Sequence, residues 1–144
     1  MNKELDRIPA LAMSFEISFR ACREQLADTV ERVMRVVQTL PCAQGRLEDL
    51  HLALMEAMTN ALIHGNREDP TKIVNICAGC TERSELLIVV TDQGEGFDPS
   101  TLLDPTAAEN LYEGHGRGVF LMKRLVDSLD FNLGGRQVIL RMSK

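Results

Sequence analysis

Five apolar residues at every second position, Leu11, Met13, Phe15, Ile17 and Phe19, alternate with Ala12, Ser14, Glu16 and Ser18. A period of two fits a half-buried strand, because only an extended chain sends successive side chains to opposite faces. The period then changes. From Arg23 to about Leu40 the apolar residues Leu26, Val30, Val33, Val37 and Leu40 return every three or four positions, and Pro41 follows as a stop. A second amphipathic helix is expected from about Leu47 to His64, with Leu50, Ala53, Leu54, Ala57, Ala61 and Leu62 on its buried side and Gly65 ending it.

Two β-branched or leucine-rich runs follow, Ile73 to Ala78 and Glu85 to Thr91, joined by a polar turn that suits an antiparallel hairpin. Between Gly94 and Gly118 the chain holds Pro99, Pro105 and no sustained period, which reads as a long loop. A loop of that length inside a compact domain suits a cover over a site, so a lid is expected at about 97–116. Val119 to Ser128 then reads as a helix, and Leu129 to Asn132 and Gln137 to Arg141 as strands joined across Gly134-Gly135. About five strands and three helices in this order predict an α+β fold. The expected form is a two-layer sandwich in which a mixed, mostly antiparallel sheet is covered on one face by helices. With 144 residues, 44% of them hydrophobic, the whole of 1–144 is expected to be one domain.

A net charge of −5 argues against a duplex-binding surface, which needs clustered Lys and Arg. No run approaches the roughly 18 apolar residues that would span a bilayer, and Met1-Asn2-Lys3-Glu4 is unlike a secretion signal. The expected setting is the cytoplasm, with neither nucleic acid nor membrane as partner. Of the four cysteines, Cys77 and Cys80 form a CxxC pair, whereas Cys22 and Cys42 stand apart with no close partner in sequence. A structural zinc site wants two such pairs, and a redox CxxC usually opens a helix where this one closes a strand. The four are expected to be small buried thiols.

Three segments carry the chemistry. Glu56-Ala57-Met58-Thr59-Asn60 offers a carboxylate and an amide oxygen one helical turn apart. Asp92-Gln93-Gly94-Glu95-Gly96 sets an acid beside two flexible glycines where the hairpin's second strand ends, and Gly114-His115-Gly116-Arg117-Gly118 leads into a helix whose amides suit an anion. Neither a Rossmann fingerprint in its proper context nor a P-loop occurs, so a nucleotide would have to be held on another plan.

In order and spacing these segments resemble the three boxes of the gyrase, Hsp90, histidine kinase and MutL ATPase superfamily, which shares the Bergerat fold. Glu56 to Asn66, reading EAMTNALIHGN, resembles its N box, Asp92 to Gly96 its DxGxG box, and Gly114 to Gly118 its glycine-rich lid box. Within the superfamily, a compact chain whose N box ends in His-Gly-Asn is most similar to the bacterial anti-sigma-factor serine/threonine kinases.

The resemblance implies a set of roles. Asn60 matches the metal-binding position, and its neutral carbonyl oxygen is a hard ligand suited to Mg²⁺, which takes its remaining ligands from phosphates and water. Glu56, four residues earlier on the same face, becomes the general base, toward water in a hydrolase or toward a protein hydroxyl in a kinase. Asp92, an acceptor-only carboxylate, suits the exocyclic amino group of adenine and so ATP. Gly94 and Gly96 would let backbone approach the base, or are ordinary turn glycines. Gly114, Gly116 and Gly118 would receive the triphosphate, while Arg117 reads equally as a phosphate contact or an exposed loop arginine. His64 and Asn66 rank below Glu56 and Asn60, as a helix-terminal histidine and a turn asparagine. Met55, Met58 and Met122 read as core filler.

The chain departs from the family where many relatives carry a threonine near the last strand. Here the stretch is Gly134-Gly135-Arg136-Gln137, with Arg136 as a substitute. The function implied is an ATP-dependent kinase that sequesters a sigma factor and phosphorylates an anti-anti-sigma protein, and that forms a homodimer. The alternative is an ATP-gated adapter without kinase activity. A sensor histidine kinase fragment is less favoured, since no helical hairpin bearing a phosphoacceptor histidine precedes the boxes and His51 lies within the N-box helix.

Overall fold

The computed structural model describes residues 10–20, 22–43, 45–96 and 114–143, and for 114–117 the backbone alone. In chain order β1 spans Ala12–Arg20, α1 Leu26–Val37, α2 Leu47–Thr59, β2 Ile73–Cys80, β3 Leu86–Thr91, α3 Gly114–Leu125, β4 Ser128–Asn132 and β5 Gln137–Met142. The strands form one sheet in the order β1-β2-β3-β5-β4, and every neighbouring pair is antiparallel. This is the α+β architecture expected, with a wholly antiparallel sheet where a mixed, mostly antiparallel one is expected from the sequence.

Alternation in the strands decides which face the helices cover. Val74, Ile76 and Ala78 of β2, Leu86, Ile88 and Val90 of β3, and Val138, Leu140 and Met142 of β5 turn inward. They meet Val30, Val33 and Val37 of α1, Leu50, Leu54 and Met58 of α2, and Val119 and Met122 of α3 in a single core. Helix α2 packs between the other two. Met58 and Met122 are core filler as expected, and Met55 packs against the core partly buried. The central strand β3 is apolar on both faces, and Leu87 and Val89 join Ile139 in a smaller cluster on the far side. β1 carries a bulge at its start, where Met13 has a φ of 51° and is exposed.

Four boundaries and pairings differ from expectation. Helix α1 is preceded by a 3₁₀ turn at Arg23–Gln25 and ends at Val37. Helix α2 gives way after Thr59 to a π-helical segment, Asn60–Gly65. Helix α3 starts at Gly114 rather than Val119, so the three glycines lie within it despite their poor propensity. The cysteines differ most. Cys42, in the turn between α1 and α2, is bonded to Cys80 at the end of β2 with their Cα atoms 5.8 Å apart, while Cys22 and Cys77 are free and only partly buried. The pair is 38 residues apart in sequence, and only the return of the chain through β2 brings Cys80 beside Cys42. The CxxC itself is split, since residues three apart in a strand point to opposite faces.

Candidate nucleotide-binding site

The C-terminal end of α2 supplies the first group of side chains. Its last backbone bonds run from the Asn60 N–H to the Ala57 and Glu56 carbonyls, after which the Asn66 N–H reaches back five residues to the Ala61 carbonyl at 2.8 Å. This wider turn is of the kind often found at functional sites. Ala57, Asn60, Ala61, His64 and Gly65 all line one wall of a cleft of about 220 Å³.

The opposite wall comes from the sheet. Asp92 follows β3 directly, with its N–H donating to the Arg136 carbonyl at 2.8 Å and its Oδ1 accepting the Gly94 N–H at 2.8 Å. Only 8% of the residue is exposed. Burial pushes its carboxyl above the ordinary carboxylate value, against the pull of the Gly94 N–H and of the charges on Arg136 and Lys72. Gly94 has no room for a side chain, because a Cβ there would overlap the Gly65 carbonyl. Gly96 lines the cleft beside Gly135 and Arg136. The nearest neighbours of both glycines among the described residues are thus protein backbone.

The third segment closes the arrangement at the Glu56 end. A Cβ on Gly118 would stand 2.9 Å from Glu56 Oε2 and 3.2 Å from Asn60 Oδ1, so the α3 backbone lies directly against these two side chains. The first four amides of α3, Gly114 to Arg117, have no partner within the helix and form its positive end. The Arg117 side chain and the expected lid before residue 114 lie outside the described residues. The structure therefore brings Glu56, Asn60 and Gly118 together at the C-terminal end of α2, and packs Asp92 and Gly94 against Gly65 at the end of the π-helical segment that follows, with Gly96 lining the same cleft. Glu56 does not line the cleft itself.

A family model described as the histidine kinase-like ATPase domain matches residues 19–144. The chain belongs to the histidine kinase-like ATPase family. It is 34% identical over 105 residues to the serine-protein kinase RsbW of Oceanobacillus iheyensis, covering 68% of this chain and 65% of the relative. To the RsbW of Bacillus subtilis it is 36% identical over 95 residues, with 58% and 55% covered. To the anti-sigma F factor of Clostridium acetobutylicum it is 31% identical over 122 residues, with 83% of each covered. The resemblance to anti-sigma kinases drawn from the three boxes holds. The chain spans 65% and 55% of the lengths of the two RsbW relatives. A crystal structure of the RsbU and RsbW domains of a Mycobacterium tuberculosis protein shares the fold, with a TM-score of 0.61 at 15% identity over 92% of this chain and 32% of that one.

A histidine kinase-like ATPase domain uses ATP, and the residues present fit that nucleotide. Ala57, Ala61, Val90, Met122, Phe131 and Val138 give the cleft apolar surfaces for a flat base, and Asp92 adds the one buried carboxylate among its described lining residues. Sequence spacing alone does not assign these surfaces. The signal was nonetheless there: Ala57 and Ala61 flank Asn60 at helical spacing, and Val90 stands two residues before Asp92 on the same strand face. Among the described residues no group of three or more His, Cys, Asp or Glu gathers around a metal position. The Arg136 Nε donates to the Leu133 carbonyl at 3.0 Å and its side chain lines the cleft. Gln137 donates to Thr91 Oγ1 at 3.0 Å. No described helix is long and apolar enough to cross a membrane.

Proposed function

We propose that this histidine kinase-like ATPase domain is a serine/threonine protein kinase of the anti-sigma type, acting on an anti-anti-sigma protein and sequestering a sigma factor. The observation that carries the reading is the approach of the Gly118 backbone to Glu56 and Asn60, with Asp92 in the cleft beside Gly65 at the end of the π-helical segment that follows α2. Asp92 accepts a hydrogen bond from the 6-amino group of adenine, and the apolar cleft holds the base. The unpartnered α3 amides, including those of Gly114 and Gly116, face the phosphates, Gly118 lets the helix backbone approach Glu56 and Asn60, and Arg117 adds charge. Bound Mg²⁺, with Asn60 as its protein ligand, would neutralise phosphate charge during transfer. Glu56, one helical turn away, takes the proton from the attacking serine or threonine hydroxyl.

The names of the serine-protein kinase and anti-sigma F relatives support this choice of substrate and partner classes. We further read 1–144 as one domain acting in the cytoplasm as a homodimer, with 97–116 as its lid. The test is phosphate transfer from labelled Mg-ATP to candidate anti-anti-sigma proteins. Glu56→Gln is expected to slow transfer by about 10²- to 10⁴-fold while leaving ATP affinity within a few-fold of wild type. Transfer by the variant at the wild-type rate would remove Glu56 from the chemistry. ATP binding without transfer to any such protein would leave the adapter in its place.

A further inference from the structure

Asn66 is fully buried, at 0% exposure, yet it stands just past the nucleotide-facing helix and carries a side chain that could have pointed anywhere. Both ends of its amide are used. Its Nδ2 donates to the Ile73 carbonyl at 2.8 Å, and its Oδ1 accepts the Gln93 N–H at 2.7 Å. The ring is closed by the Ile73 N–H, which donates to Gln93 Oε1 at 2.8 Å. Asn66 is itself fixed, since its N–H donates to the Ala61 carbonyl at 2.8 Å and its carbonyl accepts the Asp69 N–H at 3.0 Å. Three separate pieces of chain are thereby tied at one point: the end of the π-helical segment, the start of β2 and the loop after β3.

What that knot holds is Asp92. Its backbone is bracketed, by the Arg136 carbonyl on its own N–H and by Asn66 on the N–H of the next residue. The residue before Asn66 bounds its carboxylate, because a Cβ on Gly65 would overlap the Asp92 side chain. A carboxylate that reads one amino group must face it to within a few tenths of an ångström and a few tens of degrees, since hydrogen bonds weaken steeply when bent. We infer that Asn66 is the positioning residue for base selection, holding Asp92 where its carboxylate distinguishes a 6-amino purine from a 6-oxo purine. This rests on the reading of Asp92 as the adenine partner.

A residue that only stabilised the turn would lower the folded fraction without changing which base the folded protein prefers, so the readout is a ratio. Calorimetry well below the melting temperature, with the magnesium salts of ATP and inosine triphosphate, measures their relative affinity. Wild type is expected to favour ATP, and Asn66→Ala to reduce that preference about tenfold, the loss of roughly one charge-assisted hydrogen bond. Gln93 is exposed and its replacement leaves the core intact. Gln93→Ala, which removes the acceptor for the Ile73 N–H, should reduce the preference about threefold, and Gln93→Glu, which restores an acceptor, should recover it. If Asn66→Ala does not fold, the two Gln93 variants decide.

Asp92→Asn serves as the reference. Should it keep the wild-type preference, the reading of Asp92 falls and the inference with it. Should it abolish the preference while folded Asn66→Ala, or Gln93→Ala in its place, retains it in full, the inference alone is overturned.

Discussion

A methyl group added at Gly118, in the second turn of α3, would stand 2.9 Å from Glu56 Oε2 and 3.2 Å from Asn60 Oδ1. Carbon and oxygen ordinarily touch at roughly 3.3–3.6 Å, so the Glu56 carboxylate must retreat by about half an ångström and the Asn60 amide by less. Both are the free ends of rotatable side chains, and turning one off its best rotamer costs about 0.5–1.5 kcal/mol. Against this, alanine in place of glycine inside a helix stabilises the fold by about 0.5–1 kcal/mol. The two terms nearly cancel, so Gly118→Ala is expected to melt within about 3 °C of wild type. Catalysis has no such compensation. With Glu56 as the proposed base and Asn60 as the proposed metal ligand, displacing both together is expected to lose near-attack geometry and cost about 10²-fold in the transfer rate at saturating Mg-ATP.

The assay pairs a thermal melt with single-turnover phosphate transfer, and includes Glu56→Gln alone and combined with Gly118→Ala. If the methyl acts through Glu56, the two losses fail to add, because the second change acts on a group already disabled. A stable Gly118→Ala variant with wild-type transfer would refute the reasoning, and so would losses that multiply in the double variant.

Asp92 links the site to pH in two opposite directions. Because burial raises its folded pKa, its contribution to stability is present at low pH and is lost as pH climbs from the ordinary carboxyl value of 3.8 through the raised one. On the proposed role of Asp92, ATP affinity is expected to run the other way, falling as pH drops through that raised value, since only the carboxylate is a pure acceptor; titration calorimetry should find this dependence gone in Asp92→Asn. Asp127 is held down to about 2 by the Ser143 N–H at 2.6 Å and by Arg46 at 2.7 Å. Its stabilisation is present above the ordinary carboxyl value and is lost as pH falls through about 2. The Arg46 and Asp127 side chains are about a third exposed, so solvent screening limits the effect. Asp127→Asn should cost up to about 1 kcal/mol at neutral pH, measured by urea unfolding, with the difference vanishing toward pH 2.

The sequence was most informative where one period ran undisturbed. The alternation from Phe15 to Phe19, the helical spacing through Val30, Val33 and Val37, and the β2–β3 hairpin all emerged close to their observed bounds. It was least informative where contacts across the sheet override local preference. Gly114, Gly116 and Gly118 read as a loop by propensity, but α3 uses glycine to bring its backbone against Glu56 and Asn60. Asn66 read as an ordinary turn residue, because Ile73 and Gln93, the partners that give it a role, meet it only once β2 and β3 are paired. Cys42 and Cys80 were hidden for the same reason. Asp92, Asn60 and Glu56 could be named from spacing, whereas the apolar walls at Phe131 and Val138 needed the strand order that sets β5 beside β3.

That order also explains why the N-box helix does not remain an α-helix. Asn60 must lie against Gly118 at one end of the site, and Gly65 must pack on Asp92 and Gly94 at the other. In an α-helix with 3.6 residues per turn, residues five apart point about 140° away from each other, so a regular helix could not serve both contacts. A π-helical turn, whose bonds join residues five apart, brings those two positions nearly into line along one face. The Asn66 N–H to Ala61 bond is that turn's closing bond, and both Asn60 and Gly65 line the cleft. The widened turn between Asn60 and Gly65 is therefore the part of the fold that converts two separate packing constraints, one from α3 and one from the end of β3, into a single continuous site.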